Sequence, residues 1–541
     1  MATVVNINGK TIKRPGVYAL TKSGIKYPPL SLPYGNIVII DSGLGKEFVG
    51  GSGVNGKHTQ GTDSVYQIDT IQKYRDFVKG GPLWDIATQL FKPYRSNING
   101  VSSVFIVKAA TTTCAEIAYT FKQNGKITFE TLDEGVGVNG VKQGDELVKG
   151  YGIKLVKGKT DATKYVFEFY HGSFTGVDST NNVAYDGVPI EQSKPVLLFQ
   201  SKEVENVQQL VDWCNSSNEF RQVFKIKPGS VTTTGVFEAD DITDNVGYKL
   251  ATGGTETYGT ADFDAALKAV KDVDHTFFLS TEFGDNSTSL NNEKILDFIV
   301  NQSKYEKFLV VGGGFDKLHF TGASNTSEST AKHFNSDKVI VVHGGYKTNT
   351  RQGTMIKTQF HKAALVLGRL CGLEPQTPIT FKGVNIDAEV HKLDDEEKEF
   401  ALDHGILTTH YDSELGYHIV QQGINSMQTN RYLVEEDGSS HDIAVKRITA
   451  QLNKEICVNA KLVFFNKEKG PNRATMSEQD ISSWLKGFLQ NKVASTLDDN
   501  LIVRFGNIRA NIEGDNIFVS YEFVPNYPIS KVIFTGIILE K

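Results

Sequence analysis

Apolar residues along this chain follow two rhythms, and stretches of each alternate. "GNIVIID" from Gly35 is a continuous apolar run of strand length, closed by "SGLG". Such a run fits a strand buried on both faces of a sheet. "TIQKYRDFV" from Thr70 and "LWDIATQLFKPY" from Leu83 space their apolar residues three and four apart, as helices do. "VSSVFIVKA" from Val101 returns to the buried-strand pattern. The front of the chain therefore predicts strand, loop, two helices and strand.

The texture changes between about Ala115 and Lys249. "KITFETL", "YGIKLVKG", "KYVFEFYHGSF" and "PVLLFQS" are strand-like and separated by Gly, Asn and Asp. One helix, "VENVQQLVDWCN" from Val204, interrupts them. This stretch predicts a mostly β insertion of one or two subdomains.

After "GGTETYGTADFDAALKAVKDV" from Gly253 the alternation is regular. A helix over Asp262–Asp272 precedes the strand "HTFFLS" from His275. "EKILDFIVNQS" from Glu293 precedes "KFLVVGGG" from Lys307, and "STAKHFN" from Ser329 precedes "KVIVVHGG" from Lys338. A long helix from about Thr354 to Leu370 follows. Buried-type strands alternating with amphipathic helices predict a largely parallel sheet.

The last third mixes helices with hairpins. "LDDEEKEFALDHG" has Asp394 and Glu397 in capping-box spacing, then Gly405 as a helix stop. "TMSEQDISSWLKGFLQNKV" repeats the arrangement with Thr475 and Glu478, and Ile481, Trp484, Leu485, Phe488 and Leu489 form one apolar stripe. The chain closes on alternating β: "NLIVRFGNIRANI", a turn at Glu513–Asn516, "IFVSYEFV" and "SKVIFTGIIL". The final strand has no partner left after it and must pair at home or on a neighbour.

The opening residues are equally unusual. Lys10, Lys13, Arg14, Lys22 and Lys26 are cations, with no acid among the first thirty residues. Pro15 and Gly16 lead into a short β-prone run. Proline is excluded from a central strand, so an arm or an edge strand is expected there.

The expected fold class is α/β. It is multi-domain, with a mostly parallel α/β core built from both chain ends, a β-rich insertion and terminal β-strand arms. The expected boundaries are an N-terminal arm over 1–24, a first core part over 25–114, the β-rich inserted domain over 115–250, a core α/β part over 251–375, a C-terminal domain over 376–525 and a C-terminal arm over 526–541.

Composition narrows the function classes. The chain has 541 residues, enough for two to four domains, and is 39% hydrophobic and 22% charged, so a globular protein is expected. A net charge of -6 does not point to nucleic acid, which selects basic domains. No apolar run approaches a membrane span, "AALVLG" from Ala363 being typical, and "MATVVNINGK" lacks the features of a secretory signal. No membrane insertion is expected. Cys114, Cys214, Cys371 and Cys457 lie far apart and read as free thiols of a protein made in a reducing compartment.

The most tempting chemistry is "FVGGSGVNGKHTQG", Phe48 to Gly61. Gly51, Gly56 and Lys57 give G-x-x-x-x-G-K, and Gly51, Gly53 and Gly56 give G-x-G-x-x-G. A P-loop needs a hydroxyl straight after the lysine to hold magnesium, but His58 stands there and Thr59 is one residue late. It also needs a strand leading directly to a helix N-terminus, whereas Asp41 ends the strand about ten residues early. A surface loop is the favoured reading. "VVGGGFD" at Val310–Asp316 follows a strand but lacks the later glycine.

His404, His410 and His418 form no metal-binding spacing, and His404 reads as a helix C-terminal cap. The acids Asp394–Glu397 sit in a first helical turn, where capping and the helix dipole account for them. No G-x-S-x-G elbow occurs. No catalytic residue, cofactor or metal is expected.

Several segments, in order, resemble the contractile tail sheath proteins of bacteriophages and related injection machines. They are "RPGVYAL", "SVYQIDTIQKYRDFVKGGPLWDIATQLF", "GGTETYGTADFDAALKAV", "ELGYHIVQQGIN", "DIAVKRITAQLNKEI", "ISSWLKGFL" and the final β run. The stretch from about Ala115 to Lys249 carries little of the likeness.

The resemblance implies a homo-polymer, with subunits stacked as six-fold rings around a tail tube. The implied partners are the tube protein, the baseplate and the tail terminator. The implied location is the virion tail sheath, assembled in the host cytoplasm. It implies arms that add strands to neighbouring subunits, through Arg14, Pro15, Gly16, Val17 and Tyr18 in front and Val532, Ile533, Phe534 and Ile537 behind. It also implies a tube-facing C-terminal helix over Thr475–Val493, with Lys486 and Lys492 as charge contacts. The competing expectations are an α/β nucleotide-binding enzyme and another tail or baseplate assembly protein.

Overall fold

The computed structural model describes residues 5–7, 10–12, 34–41, 50–51, 65–78, 81–95, 98–135, 138–139, 149–173, 195–244, 247–283, 291–319, 326–350, 353–428, 441–465, 477–493, 501–513 and 516–526. These divide into two compact units. Pro33–Gln451 supplies the larger; Leu452–Asn526, with the short antiparallel hairpin Val5–Ile7/Lys10–Ile12, supplies the smaller.

The larger unit is built on a seven-stranded sheet. Its order is Ile406–Leu407, Val339–Val342, Phe308–Gly312, Phe277–Phe283, Asn36–Asp41, Ser103–Lys108 and Tyr66–Ile68. Every neighbouring pair is parallel except the last. The five apolar runs beginning at Gly35, Val101, His275, Lys307 and Lys338 are the five inner strands, so the expected α/β class holds.

Period-two alternation sorts the residues of these strands onto two faces. Ile37, Ile39, Val104, Ile106, Phe277, Leu279, Val310 and Val342 pack on one side with Tyr74, Leu83, Leu90 and the helix Gln359–Cys371. Val38, Ile40, Val107, Phe278, Leu309, Val311 and Val341 pack on the other with the helices Thr260–Ala269, Asn291–Asp297, Ser327–Phe334 and Asp395–Asp403. Burial on both faces explains why these strands read as continuous apolar runs.

Local chemistry sets the helix ends. Thr70 and Asn206 cap helices Ile71–Phe77 and Val207–Ser216 by accepting from the Lys73 and Gln209 amides. Asp394 and Glu397 close the expected capping box, and Gly405 takes the left-handed backbone (φ 70) just past the end of that helix. The expected helix from Thr354 is shorter than predicted. Gly353–Lys357 is instead a strand paired with Tyr346–Thr350, and the helix starts at Gln359 after Thr358. Met355 and Ile356 sit at helical spacing from Phe360 and Ala363, so the apolar period alone did not separate a hairpin from a helix.

The β-rich stretch forms two further sheets. One orders Val196–Gln200, Tyr165–Ser173, Lys149–Lys157 and Tyr248–Leu250; the other joins Phe224–Ile226, Lys126–Glu134 and Cys114–Thr120. Between them lies an aromatic core, including Tyr119, Phe129, Phe167, Phe169, Phe220 and Phe224, closed by the helix Val207–Ser216. Rings such as Phe129 and Phe169 meet edge to face at 5.6 Å, the favoured aromatic geometry. An antiparallel stem, Ala110–Thr112 against Glu256–Tyr258, ties this module to the main sheet.

Candidate assembly interface

The smaller unit holds the two longest strands among the described residues. Ile502–Glu513 pairs antiparallel with Asn516–Pro525, bending at a bulge where Asn507 adopts φ 47 and its amide donates to Glu522 at 2.5 Å. Part of the hairpin rests on the helix Glu478–Gln490: Ala510 packs against the cluster of Phe464 and Ile481, and the Ile512 amide donates to Glu478 Oε1 at 2.9 Å. The Tyr521 hydroxyl donates to Asn453 Oδ1 at 2.7 Å.

This contact corrects one expected cap. Ser477, with Asp480, forms the capping box of Glu478–Gln490, in place of Thr475 with Glu478. Glu478 is instead used to hold the hairpin.

Apart from a single bridge between Val493 and Ile502, no further strand joins this ladder among the described residues. Val503, Ile517, Phe518 and Val519 are exposed, Phe518 to 56%. A two-stranded ribbon is marginal by itself in water and open at both edges, so it is a template for added strands.

The residues expected to supply such strands, Arg14, Pro15, Gly16, Val17, Tyr18, Val532, Ile533, Phe534 and Ile537, lie outside the described residues. The two expected tube-facing lysines differ in setting. Lys486 is exposed on the polar side of its helix, opposite Ile481, Leu485 and Phe488. Lys492 is engaged inside the unit: its Nζ lies 2.5 Å from Glu455 Oε2 and over the Phe488 ring, with side-chain exposures of 16% and 3% for the ion pair.

Of the glycine-rich loop, Gly50 and Gly51 are described. Gly50–Gly51 pairs antiparallel with Asp133–Glu134, and the next described element after it is the strand Tyr66–Ile68. Gly53, Gly56 and Lys57 lie outside the described residues. Ligands of open parallel sheets sit where the strand order reverses, beyond the carboxyl ends of the strands. Here that point lies between Asn36–Asp41 and Phe277–Phe283, and protein groups meet there. Tyr258, from the stem, donates its hydroxyl to Asp41 Oδ2 at 3.3 Å, and the Thr281 hydroxyl donates to the Ile40 carbonyl at 3.0 Å.

The run Gly312–Gly314 also has a packing use. A Cβ on Gly313 would lie 2.6 Å from Ser327 Oγ, and the Gly314 amide donates to that oxygen at 2.8 Å. A helix, Ser327–Phe334, does follow it.

His404 does cap its helix: its Nδ1 lies 2.8 Å from the Phe400 carbonyl. His410 and His418 belong to the hairpin Thr409–Asp412/Tyr417–Val420. They line a cavity of about 310 Å³ with Asp387, Glu389, Lys398 and Thr409. Burial lowers the pKa of both imidazoles. Sequence reasoning missed this cavity because its residues come from distant segments. Among the described residues, no group of three or more His, Cys, Asp or Glu is placed to hold a metal ion.

No family model and no curated protein matches this chain. Solved structures do. The sheath tail protein of Desulfitobacterium hafniense aligns over 94% of this chain and 97% of its own, with a TM-score of 0.58 at 12% identity. This chain has the tail sheath fold. The sheath tail protein of Listeria innocua agrees, with a TM-score of 0.54 at 13% identity over 92% of this chain and 96% of that one. At such identities the likeness is one of backbone architecture, and it extends through the β-rich module that carries little of the sequence resemblance.

Proposed function

We propose that this chain is the structural subunit of a contractile tail sheath. The observation that carries this reading is the tail sheath fold across 94% of the chain. The resemblance of the terminal segments to sheath arms and the open hairpin Ile502–Pro525 support it. In this reading the arms of neighbouring copies add strands to the edges of that hairpin. Main-chain hydrogen bonds then supply affinity without requiring particular side chains. Each nets about 1 kcal/mol, so several per arm, repeated over a polymer, make a strong mesh.

The subunits stack as six-fold rings around a tube, bounded by a baseplate and a terminator, and assemble in the host cytoplasm into a virion tail. The arms act as hinges while the bodies rotate as rigid units, when the sheath contracts and drives the tube through an envelope. The drive is the conformational free energy of a metastable extended state. No nucleotide is consumed.

Negative-stain microscopy of the purified full chain tests this. Striated tubes or rings of uniform width are expected, and their loss on deleting Met1–Lys22 or Ser530–Lys541. Monodisperse globules from the full chain count against the sheath. A truncated chain that still polymerises removes the arm mechanism alone.

A further inference from the structure

Glu389 is a buried junction in the larger unit. Its Oε2 accepts from Lys362 Nζ at 2.6 Å, and its Oε1 accepts from the Thr409 hydroxyl. Its backbone pairs with Tyr346. Thr409 opens the hairpin Thr409–Val420, whose tip and outer side expose Tyr411 and Leu415 to 54% and 48%. The hairpin's other ties are backbone bonds at its base, from the Val384 amide to the His418 carbonyl at 2.9 Å and the Phe381 amide to the Val420 carbonyl at 2.8 Å, the fully buried side chains of Ile419 and Val420, and Tyr417 packed on Tyr94 at 5.5 Å.

Two imidazoles, His410 and His418, line the cavity beside this junction, and a third, His343, faces its Lys362. His343 follows the strand Val339–Val342 and is 2% exposed; its Nδ1 shares a proton with Ser327 Oγ at 2.7 Å, and its Nε2 has no hydrogen-bond partner. His410 likewise has a buried Nδ1 without a partner. His418 is 5% exposed. A protonated imidazole carries two N–H donors. For His343 and His410 the second donor would be buried without an acceptor, which costs the full desolvation of that group.

Neighbouring charge adds to this. His343 faces Lys362 from the helix Gln359–Cys371, together with His391 and His319. His410 faces Lys398 from the helix Asp395–Asp403, with Asp412, Glu389 and His418 nearby. His418 faces Glu389, Lys362 and Asp387. Glu389 is already matched to Lys362, and His391 is held at 3.0 Å by Glu397. The cavity of about 310 Å³ beside His410 and His418 gives water a path to the junction.

We propose that the hairpin Thr409–Val420 is an acid-released element: proton uptake by His343, His410 and His418 detaches it from the α/β body. The element changes the exposed surface around Tyr411 and Leu415 while the seven-stranded sheet stays folded. This holds whether or not the chain polymerises.

Hydrogen–deuterium exchange of the full chain tests it, at pH 7.5 and pH 5.5 with exchange times scaled for the intrinsic rate. Peptides covering residues 409–420 are expected to lose protection at least tenfold at pH 5.5. Peptides covering Asn36–Asp41 and Phe308–Gly312 are expected to lose much less. The triple variant His343→Gln, His410→Gln, His418→Gln should abolish the difference. Equal hairpin protection at both pH values overturns the proposal, as does a loss of equal size in the core strands. If the triple variant does not fold, the single variants His410→Gln and His418→Gln decide: an unreduced pH difference in both overturns it.

Discussion

Lys362 Nζ and Glu389 Oε2 lie 2.6 Å apart, with side chains only 2% and 7% exposed. The pair ties the helix Gln359–Cys371 to the segment that carries the hairpin Tyr346–Lys357 and, through Thr409, to a second hairpin. A buried pair gains little over an apolar replacement, but removing one partner strands the other charge. Lys362→Met and Glu389→Gln are each expected to lower unfolding free energy by about 3–5 kcal/mol. The double variant Lys362→Met, Glu389→Gln should lose less than the sum of the singles. Urea denaturation checks this, and strict additivity would show that the two charges are not coupled.

Gly368 and Gly487 both lie inside helices, where alanine is favoured over glycine by about 1 kcal/mol. Their surroundings set opposite signs. A Cβ on Gly368 would lie 2.2 Å from the Gln89 carbonyl oxygen and 2.8 Å from that of Leu90, both backbone atoms. A Cβ on Gly487 meets nothing within 4 Å. Gly487→Ala is expected to stabilise by about 0.5–1 kcal/mol. Gly368→Ala is expected to destabilise by about 1–3 kcal/mol, because overpacking outweighs the propensity gain. Thermal unfolding of the two variants side by side distinguishes the cases.

The parts of this fold that were legible in the sequence are those whose burial leaves a local trace. Strands covered on both faces must be apolar at every position, so Ile37–Ile40, Phe308–Val311 and Val339–Val342 announced themselves. Short edge strands leave no such trace: Tyr66–Ile68 and Ile406–Leu407 need the sheet beside them. The box at Asp394 and Glu397 was readable because its partners are three residues apart. Ser477 was obscured by Thr475, two residues earlier in equally plausible spacing. Glu389 was unreadable as a junction because Lys362, Tyr346 and Thr409 reach it only through tertiary folding.

Lys486 and Lys492 are six residues apart, but only one is available to an outside partner. Lys486→Glu should leave stability within about 0.5 kcal/mol of the parent, as for surface substitutions generally. If it faces a tube, its cost appears in assembly around the tube and not in unfolding. Lys492→Ala removes the partner of Glu455, whose side chain is 3% exposed, and is expected to destabilise by about 2 kcal/mol or more. Paired denaturation and tube co-sedimentation assays check the division of labour. A Lys492→Ala variant of unchanged stability would return that residue to the surface.

The same imidazoles make global stability depend on pH in a definite window. Burial, with the Lys362 charge behind it, holds His343 well below its ordinary value of 6.5, and burial also lowers His410 and His418. The folded state therefore binds fewer protons than the unfolded chain just below pH 6.5, so stability falls as pH falls. Above about pH 7 the contribution is complete and the profile should be flat. Within the window, each fully depressed histidine adds a slope of at most about 1.4 kcal/mol per pH unit. Carboxylates act lower. Asp85, raised by burial but pulled down more by the neighbouring His361, 3.6 Å away, and by the hydrogen bond from Lys357 at 2.9 Å, loses its contribution only as pH drops through the acid range below 4. Unfolding free energies measured at pH 7.5, 6.5 and 5.5 should thus show a decline that His343→Gln makes shallower. A profile that stays flat to pH 5 would mean that protonated His343 finds an acceptor in the folded chain.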